Sequence, residues 1–240
     1  MYQKILINKD RKYYVKDITK DFHCQDGYFS KKDLKKTNKK IKTSIKKEFT
    51  IINPTFTDIY NRLKRGPQIM TRKDIGIIIA ETGIGKDSKV VDAGGGTGAL
   101  SLMLANIVKK VTTYELREDF TKIVKYNIKL FGFKNITVKN KDINQITEKN
   151  LDLVTLDLPE PWKPVDKIAK ALKPGAFLVS YNPNLDQVKK FINSIEKSKE
   201  FIYLKTLEII KRGWEIDKKR LRPKNFRIGH TGFLTFVRKI

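Results

Sequence analysis

The sequence predicts an α/β protein: a mostly parallel sheet with helices on both faces, an antiparallel C-terminal hairpin, and a small β domain in front. Three observations carry this. From Lys89 onward, strand-like and helix-like segments alternate, which is the pattern of a parallel sheet covered on both sides. After the last helical stretch come two β-rich segments with only a polar Arg/Lys stretch between them, and such neighbours pair antiparallel. The first 52 residues are short β-rich pieces separated by polar residues.

Residues 4–8, 12–16, 27–30 and 48–53 read as strands, rich in β-branched and aromatic side chains. Between them, residues 31–47 hold nine Lys against one acid, Asp33. Such a run is either a solvated surface or a loop facing phosphates. Pro54 and the polar residues after it mark the exit from a small basic β domain, 1–56. Helices are predicted over 58–65 and over 72–83, the second closed by Gly83. Then follow a strand at 89–93, a helix at 97–108, a strand at 111–115, a helix at 118–131 and strands at 135–140 and 151–157. A helix at 165–173, stopped by Pro174-Gly175, leads to a strand at 176–181, a helix at 185–198, one long β segment at 201–216 and a last strand at 231–239.

The formal net charge is +25. A compact chain so charged repels itself, which points to a polyanionic partner. The charge is uneven: residues 1–66 and 212–240 together carry +18 of it. Cys24 is the single cysteine, so no intrachain disulfide forms. The N-terminus lacks an apolar signal core, and no apolar run approaches the roughly 18 residues of a membrane span. A cytoplasmic protein without a membrane segment is expected. His23 and His230 are the only histidines, too few for a zinc cluster with the one cysteine, so no metal site is expected. His230 reads as structural or close to nucleic acid.

The chemistry concentrates at strand ends. Asp92-Ala93-Gly94-Gly95-Gly96-Thr97-Gly98-Ala99 follows a strand and opens a helix, the context of a nucleotide-binding turn. Glu115 ends the next strand, 21 residues after Gly94, where a carboxylate accepts from ribose hydroxyls. The same glycines satisfy a dinucleotide fingerprint, so a nicotinamide dehydrogenase competes. Asp92 weighs against it, since a carboxylate there repels a pyrophosphate and suits the ammonium and sulfonium of S-adenosyl-L-methionine. The later acidic strand end at Asp157 and the antiparallel C-terminal hairpin weigh the same way, and the dehydrogenase stays as a weaker alternative. Asp142, after the third strand, either contacts an adenine ring or caps the following turn. Asp157 ends the fourth strand, before Leu158-Pro159-Glu160-Pro161-Trp162, where prolines stiffen the backbone. A carboxylate here accepts from the 6-amino group of an adenine, enriches N1 in electron density and stabilises the charge that develops on methylation.

These residues belong to longer segments. Arg65-Gly66-Pro67-Gln68 with Lys73-Asp74-Ile75-Gly76, the glycine turn, Tyr114–Phe120, Asp157–Trp162 and Gly229-His230-Thr231-Gly232-Phe233 together resemble the tRNA (adenine-N1)-methyltransferases that modify the T-loop. Phe22-His23, Gly27 and Lys47-Glu48-Phe49 extend the resemblance into the N-terminal domain. It implies a class I methyltransferase (Rossmann-like) sheet over 57–240, S-adenosyl-L-methionine as cofactor, tRNA as partner and a homotetramer. By position it implies that Gln68, Asp92, Gly94, Gly96, Thr97, Gly98, Glu115, Asp142 and Asp157 hold the cofactor. It makes Asp157 the catalytic acid and puts Tyr181 near the target base. Thr71 and Arg72 depart from the family, where an aromatic or His and a Pro are common. Lys218, Lys219, Arg220, Arg222, Lys224 and Arg227 would grip phosphates. The alternatives are a small-molecule methyltransferase acting on a corrin precursor, which needs no basic domain, and a non-catalytic RNA-binding protein, which has no use for Asp92 and Asp157 together.

Overall fold

The computed structural model describes residues 2–66, 69–224 and 229–240. The chain divides into two compact units: Met1–Lys64 with Tyr126–Gly132, and Arg65–Lys125 with Phe133–Ile240.

In the first unit, strands β1 (Lys4–Ile7), β2 (Lys12–Val15), β5 (Lys39–Lys42) and β6 (Glu48–Ile52) form an antiparallel sheet in the order β2-β1-β6-β5. A ribbon of β3 (Phe22–Cys24) and β4 (Gly27–Phe29) packs through Phe29 edge-on against Phe49, with ring centroids 5.2 Å apart. The lysine run is not all loop. It forms a short helix, α1 (Lys31–Leu34), and strand β5, because two of its three apolar residues, Leu34 and Ile41, are buried in the core of this unit, while Ile45 is exposed. Alternation then turns Lys40 and Lys42 outward. Lys47 pairs at 2.5 Å with the buried Asp26. Helix α2 (Phe56–Tyr60) is shorter and earlier than predicted, since Thr55 and Asp58 cap it reciprocally.

The second unit is built on seven strands: β7 (Lys89–Ala93), β8 (Lys110–Tyr114), β9 (Ile136–Lys139), β10 (Leu151–Leu156), β11 (Leu172–Asn182), β12 (Phe201–Glu208) and β15 (Phe233–Lys239), in the order β12-β15-β11-β10-β7-β8-β9. β15 runs antiparallel between β11 and β12; β7 to β11 are parallel. Neighbours along each strand enter opposite cores. Val91, Val154, Leu178 and Val237 meet α6 (Val165–Ala169) and α7 (Leu185–Ser198) through Ile168, Phe191 and Ile195. Val90, Leu153, Val179 and Phe236 meet α3 (Arg72–Thr82) and α4 (Ala99–Ala105) through Ile75, Ile78, Leu100 and Leu104. Helix α5 (Glu118–Phe131) follows β8 as predicted.

Two predicted elements are corrected. Pro174 and Gly175 do not stop a helix. α6 ends at Ala169, and both residues lie inside β11, where the pairing with β10 shifts register and the carbonyl of Gly175 accepts from Arg238 Nε at 2.9 Å. A bulge tolerates Pro because the ladder there needs no donor. The long β segment 201–216 breaks after Glu208. Its end, β13 (Trp214–Ile216), leaves the sheet and pairs with β14 (Leu221–Pro223) as a separate ribbon.

Candidate active site

β7 pairs with β8 on one side and β10 on the other. The chain order reverses there, and the C-terminal ends of such strands leave a crevice for ligands. The glycine turn leaves β7 at this point. Gly94 and Gly95 both donate to the carbonyl of Tyr114 at 3.0 Å, and Gly98 donates to Gly95 at 2.7 Å before α4 begins. At Gly94 the chain passes so close to β10 that an added Cβ would lie 2.0 Å from the carbonyl oxygen of Asp157. The amide of Asp157 in turn donates to Ala93 at 2.9 Å. Parallel register thus joins two motifs 63 residues apart in sequence.

Three carboxylates surround the turn. Asp92 is buried; Ser101 of α4 and Thr155 of β10 donate to its two oxygens, Thr155 at 2.9 Å. Burial raises its pKa above the ordinary range, with Glu115 adding to the shift. Glu115 accepts from the amide of Gly96 at 2.7 Å and from that of Arg117 at 2.9 Å, so it braces the turn. Asp157 opens toward solvent, and its carboxylate has no hydrogen-bond partner among the described residues. Yet it lies in a recess walled by protein. That desolvation, then the charges of Asp92 and Glu115, push its pKa up to about 7. The recess is lined by Asp92, Asp157, Gly94–Thr97, Ala99 and Leu100, and by Ile69 and Met70.

The other predicted site residues are placed as follows. Thr97 is buried in the turn. Gln68 lies outside the described residues, as does Arg227 among the basic residues. Of the two roles open to Asp142, the cap is present: Asp142 accepts from the Asn144 amide at 2.7 Å and starts a 3₁₀ turn over Ile143–Gln145. Tyr181, on β11, donates its hydroxyl to the carbonyl of Thr231 at 2.6 Å, and its ring abuts Gly232. Burial raises the pKa of Tyr181 to about 12, with the charges of Asp74 and Asp157 contributing. Thr71, where the family pattern is broken, is the N-cap of α3, and its hydroxyl donates to Asp74 at 2.8 Å. Sequence reasoning missed Ile69, Met70, Ser101 and Thr155. Only the Thr71-x-x-Asp74 spacing carried a local signal, that of a helix-capping pair.

His230, exposed, ties the Glu208 carboxylate to the Pro183 carbonyl, which is the structural one of its two readings. Its Nδ1 faces Glu208 Oε1 at 2.6 Å and its Nε2 faces the carbonyl of Pro183 at 2.8 Å. Both partners only accept, so both bonds together require the imidazolium. Glu208 first, then the Pro183 carbonyl, raise its pKa above the ordinary 6.5. The stabilisation is therefore complete below that value and fades as pH rises through the raised one. An NMR titration is expected to place the His230 midpoint above 6.5 and to show it fall in Glu208→Gln. A midpoint unmoved by that substitution would remove Glu208 as the holder.

Among the described residues no helix is long and apolar enough to cross a membrane. The model of the family described as the tRNA methyltransferase complex GCD14 subunit matches residues 49–228. A tRNA (adenine(57)-N(1)/adenine(58)-N(1))-methyltransferase of Methanocaldococcus jannaschii is 34% identical, over 99% of this chain and 94% of its own. A solved structure described as an S-adenosylmethionine-dependent O-methyltransferase from Thermotoga maritima is 29% identical, with a TM-score of 0.85 over 100% of this chain and 93% of that one. The tRNA (m1A58) methyltransferase of Aquifex aeolicus is 27% identical, with a TM-score of 0.80 over 99% of this chain and 96% of its own. On a family match that spans most of the sequence, a relative 34% identical over nearly all of it and a fold shared with those structures, this chain belongs to the tRNA (adenine-N1)-methyltransferase family and has its class I methyltransferase fold.

Proposed function

We propose that the protein transfers a methyl group from S-adenosyl-L-methionine to N1 of an adenosine in the T-loop of tRNA. The observation that carries this reading is Asp157. It is a carboxylate without a partner among the described residues, set against the glycine turn at the mouth of the recess. The donor set fits the cofactor. Glu115 raises the cost of ionising Asp92, and both raise that of Asp157, so the turn suits a ligand with ammonium and sulfonium charges. A pyrophosphate would add to the repulsion.

In this reading Gly94, Gly96, Thr97 and Gly98 form the cradle, and Asp92 supplies negative potential behind it. Glu115 takes the ribose hydroxyls and Asp142 the adenine edge. Gln68 joins them on the strength of the resemblance alone. Bound S-adenosyl-L-methionine supplies the methyl group. Asp157 then accepts from the 6-amino group of the target base and favours the charge that develops on the ring, while Tyr181 borders the base. The target adenosine is stacked within folded tRNA and has to be flipped out. The basic β domain, 1–56, and the Arg/Lys residues 218–224 grip phosphates, and 57–240 is the catalytic domain. A homotetramer in the cytoplasm completes the proposal. The corrin-precursor alternative is not favoured, because the family match extends beyond the catalytic half into residue 49 and the relative from Methanocaldococcus jannaschii covers nearly the whole chain.

The test is to incubate unmodified tRNA with the protein and methyl-labelled cofactor, and to identify the labelled nucleoside by mass spectrometry. The expected product is 1-methyladenosine. Titration calorimetry is expected to show binding of S-adenosyl-L-methionine and none of NAD. Label on another nucleoside, or NAD as the ligand, would overturn the reading.

A further inference from the structure

Lys73 and Asp74 form a buried ion pair that neither the cofactor cradle nor the methyl transfer uses directly. Asp74 is fully buried and the side chain of Lys73 is 11% exposed. Lys73 Nζ lies 2.7 Å from Asp74 Oδ1 and donates to Thr231 Oγ1 at 2.6 Å. The other carboxylate oxygen of Asp74 accepts from Thr71 at 2.8 Å and from Thr231 at 3.1 Å. Thr231 then accepts, through its carbonyl, the hydroxyl proton of Tyr181 at 2.6 Å. Next along the chain, Gly232 leaves no room for a Cβ beside the Tyr181 ring.

This network joins three segments that lie far apart in sequence. Thr71 starts α3 directly after Ile69 and Met70, which line the recess. Thr231 belongs to the segment entering β15, 157 residues beyond Asp74. Tyr181 stands on β11, close enough to Asp157 and Asp74 to feel both charges. Taking two charges out of water is costly, and a buried pair is a poor source of stability. Its retention makes sense where it fixes one geometry among several. Lys73 neutralises Asp74, so the carboxylate contributes its hydrogen bonds while its charge beside Tyr181 is largely compensated.

We propose that Lys73 and Asp74 are a positioning pair. They fix the Tyr181 ring and the Ile69–Met70 wall beside Asp157, and so set where the target base sits without holding the cofactor. This rests on the methyl-transfer reading. Neither residue touches the reacting atoms; both act through Thr71, Thr231 and Tyr181.

The test uses Asp74→Asn, Lys73→Met and the double variant Lys73→Met/Asp74→Asn. Each single change leaves a polar group unmatched and is expected to lower thermal stability. The double variant removes both charges and is expected to regain most of it. Single-turnover transfer to tRNA is expected to fall about tenfold to a hundredfold in all three, the scale of an ångström-level misplacement, and to stay low in the double variant. Cofactor affinity is expected to fall much less than the transfer rate, since neither Lys73 nor Asp74 lines the recess itself. NMR of ring-labelled tyrosines, which needs no activity, is expected to show the Tyr181 signals shifted in every variant. A double variant that recovers the wild-type rate together with its stability, or an unmoved Tyr181 resonance, would overturn the proposal. A wild-type protein that methylates no tRNA while Tyr181 still responds would instead sink the methyl-transfer reading and leave the pair as the anchor of that wall.

Discussion

Gly94→Ala is expected to weaken cofactor binding strongly and to lower methyl transfer by about a hundredfold or more, while Gly96→Ala keeps much of both. The two glycines share the turn and a positive φ, +86° and +52°. Alanine in that region costs roughly 1–2 kcal/mol at either position. The surroundings separate them. A Cβ on Gly94 would lie 2.0 Å from the Asp157 carbonyl oxygen and 2.8 Å from its carbon, both backbone atoms at the end of β10. Among the described residues, a Cβ on Gly96 meets only the Gly94 carbonyl, at 3.8 Å. No side-chain rotation relieves the Gly94 clash. The turn has to lift off β10 by more than about 1 Å, and a displacement of that order in a binding constellation costs about a hundredfold in rate. Calorimetric titration with S-adenosyl-L-methionine and a thermal melt check this. Gly94→Ala with near wild-type affinity would show that the turn and β10 are not in contact as described.

Asp157→Asn is expected to lower single-turnover methyl transfer by about two to three orders of magnitude, the scale for losing one preorganised electrostatic contact, about 2.7–4 kcal/mol. Cofactor affinity should change little, since the cradle is formed by the turn and Glu115 braces it through Gly96. The pH dependence follows from the pKa of about 7. Only the ionised carboxylate offers a negatively charged acceptor that offsets the charge developing on the base, so the wild-type rate should climb through neutral pH and level off above it. The Asn variant should lack that limb. Stability runs the other way. The folded carboxyl holds its proton between 3.8 and about 7, where the unfolded chain has released it, so rising pH through that window destabilises the wild type relative to Asp157→Asn. Transfer rates and melting temperatures of both proteins from about pH 5 to 9, a range that brackets the shifted pKa, check both slopes. An Asn variant as fast as the wild type would remove Asp157 from the chemistry, and collapse of cofactor binding would move it into the cofactor site.

Asp157 is legible in the sequence because its signal is local. An acid at a strand end beside two prolines, and a glycine run between a strand and a helix, are short-range patterns that dictate backbone direction within a few residues. For the same reason α5 and α7 fall where periodicity places them, with Val188, Phe191 and Ile195 turned inward on α7. Where charge hides the pattern, the elements are not legible. In 31–47 nine lysines obscure three apolar residues, of which Leu34 and Ile41 are enough to draw a helix and a strand onto the core. In 201–216, continuous β propensity hides the break after Glu208, because propensity does not say which strand a segment pairs with.

Composition and local pattern thus determined the fold class, the glycine turn, the acids that flank it and the basic termini. These depend on backbone conformation and on periodicities of a few residues. Tertiary structure alone decided that Gly94 rests on the carbonyl of Asp157, that Asp92 is wired to Ser101 and Thr155, and that Lys73 and Asp74 reach Thr231, whose carbonyl takes the Tyr181 hydroxyl. Each of those contacts joins separate elements. A parallel register and an antiparallel return strand set which residues meet, and those pairings are fixed by packing two cores at once, which no local run of residues encodes.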